Sequence, residues 1–137
     1  IILGEGQLRG ELEDLIRELG LQDKVHLPGF MIDPSPWFRS ADLFVLSSLY
    51  EGFGNVIVEA LECGVPVVST DCPCGPAEIL DHGRIGKLVP IRDQESLSRA
   101  MTASYFEEHD RRVLMDRAKD FSIERISVQY LDYFWSE

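Results

Sequence analysis

The chain lacks a long apolar run and is poor in basic residues. Its uninterrupted apolar stretches, such as residues 43–46 and 56–58, are far shorter than the roughly 18 residues that a membrane-spanning helix needs. It has 13 Lys and Arg against 24 Asp and Glu, a net charge of −11. This charge opposes the phosphate backbone of nucleic acids, and no basic stripe offsets it. We therefore expect no transmembrane segment in this chain and no nucleic-acid partner.

Cysteine is also scarce, and the three residues present form no recognisable framework. Cys72 and Cys74 are separated by a single proline, which is too close for an ordinary disulfide or a Cys-x-x-Cys metal knuckle. Cys63 would be left over in any pairing, and the three histidines are scattered without ligand spacing. We expect reduced thiols and no metal.

The rest of the composition is that of an ordinary folded protein. Hydrophobic residues make up 45% and charged residues 27% of the 137 positions, enough for about one domain with a single core. The chain opens on the apolar run Ile1-Ile2-Leu3, without an initiator Met or a signal peptide. We expect residues 1–137 to be a single domain and a fragment of something longer.

The apolar periodicity alternates between strand and helix along the chain. A strand at residues 42–47, a helix at 55–63 and a strand at 65–69 form a β-α-β unit. This order predicts an α/β fold with a Rossmann-like parallel sheet and helices on both faces. The other expected elements are strands at 1–3, 24–27 and 85–89, and helices at 7–19, 34–40, 76–80, 94–105, 110–119 and 123–134.

The last of these helices carries an unusual aromatic load, with Tyr130, Tyr133 and Phe134, and Trp135 just beyond. A terminal helix that is fully exposed would not need these side chains. Two interpretations remain open: the helix packs on the chain's own core, or it packs on a domain outside this chain.

The loop between the strand at 42–47 and the helix at 55–63 is the candidate site. Gly52 and Gly54 allow close approach of a ligand, and the helix start favours an anion such as a phosphate. Glu59 lies one turn inside the helix, where a carboxylate can accept hydrogen bonds from two ribose hydroxyls. Glu51 lies on the open side. Alternatively, Glu51 only stabilises the helix N-terminus and Glu59 is an ordinary solvent-facing residue.

Residues 47–70, SSLYEGFGNVIVEALECGVPVVST, resemble the most recognisable stretch of the group 1 retaining glycosyltransferases, glycosyltransferase family 4. The E-x7-E motif of that family corresponds to Glu51 and Glu59, and its Gly-x-Pro-Val-Val segment to residues 64–68. The turns at 4–6 and 25–29 and the loop at 71–80 are also similar, so the resemblance covers nearly the whole chain. It implies the C-terminal, donor-binding half of a GT-B fold, whose two Rossmann-like domains face a cleft, with the first strand of this half missing.

The resemblance implies a role for each site residue. Glu59 would contact the ribose of a nucleotide-diphosphate sugar, and Glu51, the expected catalytic residue, would lie beside the donor sugar and orient its hydroxyls. The loop amides that would approach the sugar and the distal phosphate belong to Gly52, Phe53, Gly54 and Asn55. The backbone that would hold the base belongs to Gly29, Phe30 and Met31, although Gly29 and Phe30 could instead form a simple turn with a core aromatic residue.

One part of the family's site is missing from this chain. The family supplies an Arg and a Lys to the diphosphate from a segment that precedes the first strand. Arg84 and Lys87 are the nearest cationic candidates in the sequence, and solvated loop residues are the alternative interpretation. We expect weak donor binding by this chain alone.

The function implied for the full-length parent is transfer of a hexose or related sugar to an acceptor hydroxyl with retention, in polysaccharide, glycolipid or glycoconjugate synthesis. It would need no cofactor besides the nucleotide-sugar substrate, and the absence of Asp-x-Asp does not support a metal-dependent alternative. Without its acceptor-binding N-terminal domain this chain should be inactive. We expect a cytoplasmic protein that contacts a membrane, if at all, through the missing domain. The alternatives are a non-catalytic nucleotide-sugar-binding module and another GT-B-like enzyme, such as a sugar-nucleotide epimerase or a phosphorylase.

Overall fold

The structure, a computed structural model, describes residues 1–135. It divides into two compact units, Ile1–Pro34 and Ser35–Glu137. None of the helices within the described residues is both long enough and apolar enough to cross a bilayer.

The first unit contains one helix, α1 (Arg9–Glu18), between two extended segments. Gly20 follows the helix with φ of 65°, and the amide of Leu21 donates to the carbonyl of Ile16, which is the hydrogen-bond pattern of a glycine C-cap. Apolar residues recur at helical spacing in and beside this helix, but the leucines among them are exposed and only Ile16 is half-buried: Leu8, Leu12, Leu15 and Leu19 are the exposed ones. The helix prediction is therefore correct, while its apolar stripe is largely uncovered within these residues.

Of the two strands predicted in this unit, the one at 1–3 is reduced to a single bridge at Leu3, and the one at 24–27 is wrong, because these residues lie in a turn and an irregular segment. Only Leu3 and Gly29 form a parallel bridge, flanked by hydrogen bonds of 2.9 Å from Ile2 N to His26 O and from Gly4 N to Gly29 O. The acceptors, His26 and Gly29, lie three residues apart in the sequence, whereas the donors, Ile2 and Gly4, lie two apart. The segment that carries the acceptors therefore contains one extra residue. Pro28, which has no amide hydrogen, lies in this irregular stretch, and a bulged ladder of this kind does not extend into a regular strand.

The second unit is built on a three-stranded parallel sheet in the order β1 (Phe44–Leu46), β2 (Val67–Thr70) and β3 (Lys87–Val89). Val45 pairs with Val68, and Ser69 with Leu88. The helices are α2 (Ser35–Ser40), α3 (Asn55–Glu62), α4 (Pro76–Ile79), α5 (Gln94–Phe106), α6 (Arg111–Ala118) and α7 (Ile123–Trp135), with 3₁₀ turns at Asp81–Gly83 and Lys119–Phe121. The predicted α/β, Rossmann-like fold class is confirmed.

The core of this unit is centred on α3 and β2 and includes buried residues of α2, α4 and α6. All four residues of β2 are buried, as expected for a central parallel strand covered on both faces. Helix α3 contributes Ile57, Ala60 and Leu61, which repeat at helical spacing and are fully buried. The close fit extends to Gly86, where a Cβ atom would lie 2.7 Å from the carbonyl oxygen of Val67.

The aromatic side chains of α7 do not enter this core. Tyr130, Tyr133, Phe134 and Trp135 are 61–81% exposed, and Tyr130 stacks on Phe134 with ring centroids 6.4 Å apart. The interpretation that α7 packs its aromatic residues on the chain's own core is therefore wrong. Packing on a domain outside this chain stays a prediction.

We predict that Leu61→Ala destabilises the protein by about 2–5 kcal/mol, because it removes a fully buried side chain and leaves a cavity in the core. Leu131→Ala, at an exposed helical leucine of α7, is the matched control and should cost less than about 0.5 kcal/mol. Urea unfolding followed by circular dichroism measures both. Equal losses would show that the core is not where the structure places it.

Candidate active site

The loop from β1 to α3 is held to the end of β2 by one side chain. The hydroxyl of Thr70, which is 4% exposed, lies 2.5 Å from the carbonyl oxygen of Ser48 and 3.4 Å from that of Leu46. These contacts link the last residue of β2 to the first part of the loop. The start of the loop is therefore fixed to the most buried strand of the sheet.

Glu51 is anchored by the same stretch of loop. The hydroxyl of Ser48 donates to Oε1 of Glu51 over 2.6 Å, and the Glu51 side chain is half-buried. Its other oxygen accepts no hydrogen bond from residues 1–135. A carboxylate held through one oxygen presents the other in a defined orientation, which suits the positioning of a ligand hydroxyl.

The start of α3 provides amide donors. Gly54, which precedes the helix, has φ of 92°, and no side chain caps the helix. Its carbonyl accepts from the amide of Ile57, while the amides of Gly52, Phe53 and Asn55 donate to no group within residues 1–135. Unpaired amides at a helix N-terminus, together with the helix dipole, favour a negatively charged group. A Cβ at Gly52 would meet nothing within 4 Å, so the loop is open to approach there.

Phe53 has a structural as well as a predicted binding role. Its half-buried ring packs against the core, and its centroid lies 5.6 Å from that of Phe121 at an interplanar angle of 63°. The side chain thus fixes the loop from the inside. Sequence analysis predicted only the amide of this residue as a ligand contact.

A second loop contacts the first, and sequence analysis did not foresee this contact. Gly75, at the end of the loop that follows β2, has φ of 98°, and a Cβ added to it would lie 1.6 Å from the carbonyl oxygen of Phe53. Only glycine fits such an approach. The sequence contains one local signal here: Gly75 stands immediately before Pro76, which is the first residue of α4. A proline at the first helical position is typical of a helix start.

Glu59 lies one turn inside α3, four residues after the exposed Asn55. Its side chain is half-buried, and no hydrogen bond or ion pair reaches its carboxylate from the described part of the chain. Both carboxylate oxygens are thus available to an external donor. A diol, which offers two adjacent hydroxyl donors, matches this arrangement.

The two cationic candidates, Arg84 and Lys87, are each paired with a carboxylate of this chain. Arg84 Nε donates to Asp81 Oδ2 over 2.7 Å, and Lys87 Nζ lies 2.6 Å from Glu107 Oε2. The hydrogen bond and the positive charge of Lys87 lower the pKa of Glu107 below its ordinary value. Arg84 is exposed and lies in a turn, which agrees with its interpretation as a solvated loop residue. For Lys87 that interpretation is wrong, because Lys87 is half-buried and is the first residue of β3.

The residues predicted to hold a base belong to the first unit. Gly29 is buried with φ of 90°, and its carbonyl accepts from the amide of Gly4 over 2.9 Å. Phe30 is 73% exposed and Met31 is half-buried. Phe30 is not a core aromatic residue, so that alternative is wrong. Contact of Gly29, Phe30 and Met31 with a base stays a prediction.

The first unit also contains an open groove of about 540 Å³ beside α1. The charged residues that line it are largely engaged, since Arg9 pairs with Glu13 over 2.8 Å and also donates to the carbonyl of Leu27 over 2.7 Å. This arrangement ties α1 to the extended segment after it. We assign the groove a structural role.

Comparisons with known proteins agree on one family. The family model described as "Glycosyl transferases group 1" matches residues 1–105. The glycosyltransferase MJ1059 of Methanocaldococcus jannaschii, which is itself uncharacterised, is 34% identical over 95% of this chain. The N-acetylgalactosamine-N,N'-diacetylbacillosaminyl-diphospho-undecaprenol 4-alpha-N-acetylgalactosaminyltransferase of Campylobacter jejuni is 35% identical over 87% of it. The chain spans 40% and 33% of the lengths of these two relatives.

The fold is also similar to that of a protein of known structure. Anabaena Alr3699/HepE in complex with UDP and glucose superimposes with a TM-score of 0.83 at 26% identity. The alignment covers 98% of this chain and 40% of that protein.

We predict that Gly75→Ala displaces the loop that carries Phe53, because the new Cβ overlaps the Phe53 carbonyl oxygen. The matched control is Gly83→Ala. Gly83 also has a positive φ, of 92°, but has no atom within 4 Å of the added Cβ, so its alanine variant places a side chain at positive φ without a steric overlap. Amide spectra should show shifts at Gly52, Phe53 and Gly54 in Gly75→Ala only. Identical spectra for the two variants would contradict the close approach.

Proposed function

The chain belongs to the group 1 glycosyltransferases, and from that premise we propose that it is the donor-binding domain of a sugar-transferring enzyme. The donor is a nucleoside-diphosphate sugar, the acceptor group is a hydroxyl, and the anomeric configuration is retained. The observation that carries the proposal is the combination of unpaired amides at the start of α3 with two carboxylates, Glu51 and Glu59, that flank it.

Phosphate binding rests on the start of α3. The amides of Phe53 and Asn55 donate to the distal phosphate, and the dipole of α3 adds about 0.3–1 kcal/mol. This contribution is small against a net charge of −11, which repels a diphosphate at long range. The rest of the attraction must come from cations of the full-length protein, so we expect weak binding by residues 1–137 alone. The UDP in the Anabaena relative supports a nucleoside diphosphate as ligand.

Glu59 is the residue proposed to bind ribose. Its two carboxylate oxygens accept from the two vicinal hydroxyls, and hydrogen bonds to a charged group are the stronger kind. The carboxylate requires no rearrangement for this, since no group of residues 1–135 competes for it. Glu59 thereby fixes the position of the nucleoside relative to the helix start.

Glu51 is proposed to orient the donor sugar. Ser48 holds one of its oxygens, which leaves the other to accept from a sugar hydroxyl. As the bond to the sugar breaks, negative charge develops on the leaving diphosphate. Preorganised amides such as those of Phe53 and Asn55 stabilise this charge without reorganisation. Glu51 therefore contributes to the geometry of the reaction and takes no part as a nucleophile.

The acceptor side belongs to the full-length protein. Sugar transfer requires that donor and acceptor be held together and that water be excluded, which we assign to an acceptor-binding domain outside this chain. The name of the Campylobacter relative specifies transfer of N-acetylgalactosamine to a lipid-linked diphospho-undecaprenol acceptor. This name supports a hexosyltransferase type of activity in glycolipid or polysaccharide synthesis. The isolated chain should show no turnover.

The direct test is a screen of the full-length protein against a panel of nucleotide sugars, scored by released nucleoside diphosphate. We expect release from one donor and a product that keeps the anomeric configuration, as read by NMR. No release with any donor, together with no binding of UDP, GDP or ADP, would refute the proposed function.

We predict different effects for the two glutamates. Glu59→Gln should weaken binding of the nucleoside diphosphate about 10- to 150-fold, since about 1.5–3 kcal/mol of charged hydrogen bonding is lost. Glu51→Gln should leave nucleoside diphosphate binding within about twofold and lower kcat, because its hydroxyl partner belongs to the sugar. Calorimetry and steady-state kinetics of the full-length protein measure the two quantities.

Glu62→Gln is the control for these variants, because Glu62 lies on the same helix as Glu59 and is exposed. It should change neither the affinity nor kcat. Small and equal effects at Glu51 and Glu59 would show that the two carboxylates have no separate roles.

A further inference from the structure

Phe121, at the end of the 3₁₀ turn after α6, packs on the loop of the site. Its ring meets that of Phe53 edge to face, with centroids 5.6 Å apart. Both rings are half-buried and pack against the core of the second unit. Phe53 lies between Gly52 and Gly54, two residues that restrict the backbone little. The contact with Phe121 is therefore a main constraint on the orientation of the loop.

Arg117 also contacts the ring of Phe121. The guanidinium carbon lies 4.8 Å from the centroid of Phe121, within the range of a cation–π contact. The same guanidinium donates to the carbonyls of Ile79 and Glu78 over 2.9 and 2.5 Å and to Asp120 over 2.8 Å. Its side chain is 21% exposed. Arg117 thus ties the ring of Phe121 to the C-terminal end of α4.

Helix α4 leads back to the same loop. It begins immediately after Gly75, whose backbone lies against the carbonyl oxygen of Phe53. Phe53 is consequently contacted on its ring by Phe121 and on its carbonyl by Gly75. Arg117 connects the two groups that contact Phe53, because it makes a cation–π contact with Phe121 and a hydrogen bond to the end of α4.

We propose that Phe121 and Arg117 are positioning residues of the donor site, which hold the peptide groups of Gly52 to Asn55 in the orientation that binds the distal phosphate. The proposal rests on the proposed function. A loop that is already ordered loses less conformational freedom when a ligand binds, so removal of either constraint lowers affinity without removing any contact to the ligand. Neither side chain needs to touch the ligand for this effect.

The test compares three variants of the full-length protein. Phe121→Leu keeps an apolar side chain but loses the ring contacts with Phe53 and Arg117. Phe121→Tyr keeps the aromatic ring at this half-buried position and is the conservative variant. Phe106→Leu, at an aromatic residue of α5 that is 80% exposed, controls for the loss of a phenylalanine elsewhere. Calorimetry with UDP, GDP and ADP, each in turn, gives the affinities.

Phe121→Leu should weaken binding of the preferred nucleotide about 5- to 20-fold, while Phe121→Tyr and Phe106→Leu stay within about twofold of the unaltered protein. In protein labelled with ¹⁵N-phenylalanine and ¹⁵N-glycine, the signals of Gly52, Phe53 and Gly54 should shift or broaden in Phe121→Leu before any ligand is added. A purely structural side chain would lower the melting temperature and leave nucleotide affinity and these signals unchanged.

The possible results distinguish a failure of the positioning role from a failure of the proposed function. If the unaltered protein binds none of the three nucleotides, the proposed function is wrong and the inference falls with it. If it binds one, and Phe121→Leu binds equally well, only the positioning role is overturned. Should Phe121→Leu fail to fold, Arg117→Lys decides, since it keeps the charge but loses the paired carbonyl contacts. Weaker binding by Arg117→Lys supports the proposal, and equal binding overturns it.

Discussion

Burial of strand β2 is the constraint on which the rest of the second unit depends. All four of its residues are buried, and it pairs with both β1 and β3. Its last residue, Thr70, reaches across to the loop that carries Glu51, and the chain that leaves it forms the loop that ends at Gly75. The two loops of the candidate site therefore begin at the same rigid edge of the sheet, the carboxyl ends of its parallel strands, where ligands bind in folds of this class.

The candidate site combines groups of opposite electrostatic preference. Amides at the start of α3 favour an anion, while the carboxylates of Glu51 and Glu59 have oxygens that can accept hydrogen bonds from neutral hydroxyls. A ligand that carries a phosphate between two polyols satisfies both requirements, and a simple anion does not. The net charge of −11 acts against anions in general, so selectivity for such a ligand comes from local geometry.

The sequence predicted the elements of the second unit well because their signals are local. The apolar period of α3, the valines of β2 and the glycines before α3 each specify structure within a few residues. The contact of Gly75 with Phe53 and that of Phe121 with Phe53 join residues far apart in the chain, and no periodicity reports them. The exposure of Phe30 and of the α7 aromatic residues was left open for a related reason: hydrophobicity indicates that a side chain can be buried, not what covers it.

The approach of Gly75 to Phe53 also restricts how this sequence can vary. The atom that excludes a side chain at position 75 is a main-chain oxygen, which every amino acid carries. No replacement at position 53 can therefore create room for a larger residue at position 75. A compensatory change would have to move the backbone of one loop, and with it the amides at the start of α3. Position 75 is thus tied to the placement of these amides although its residue has no side chain.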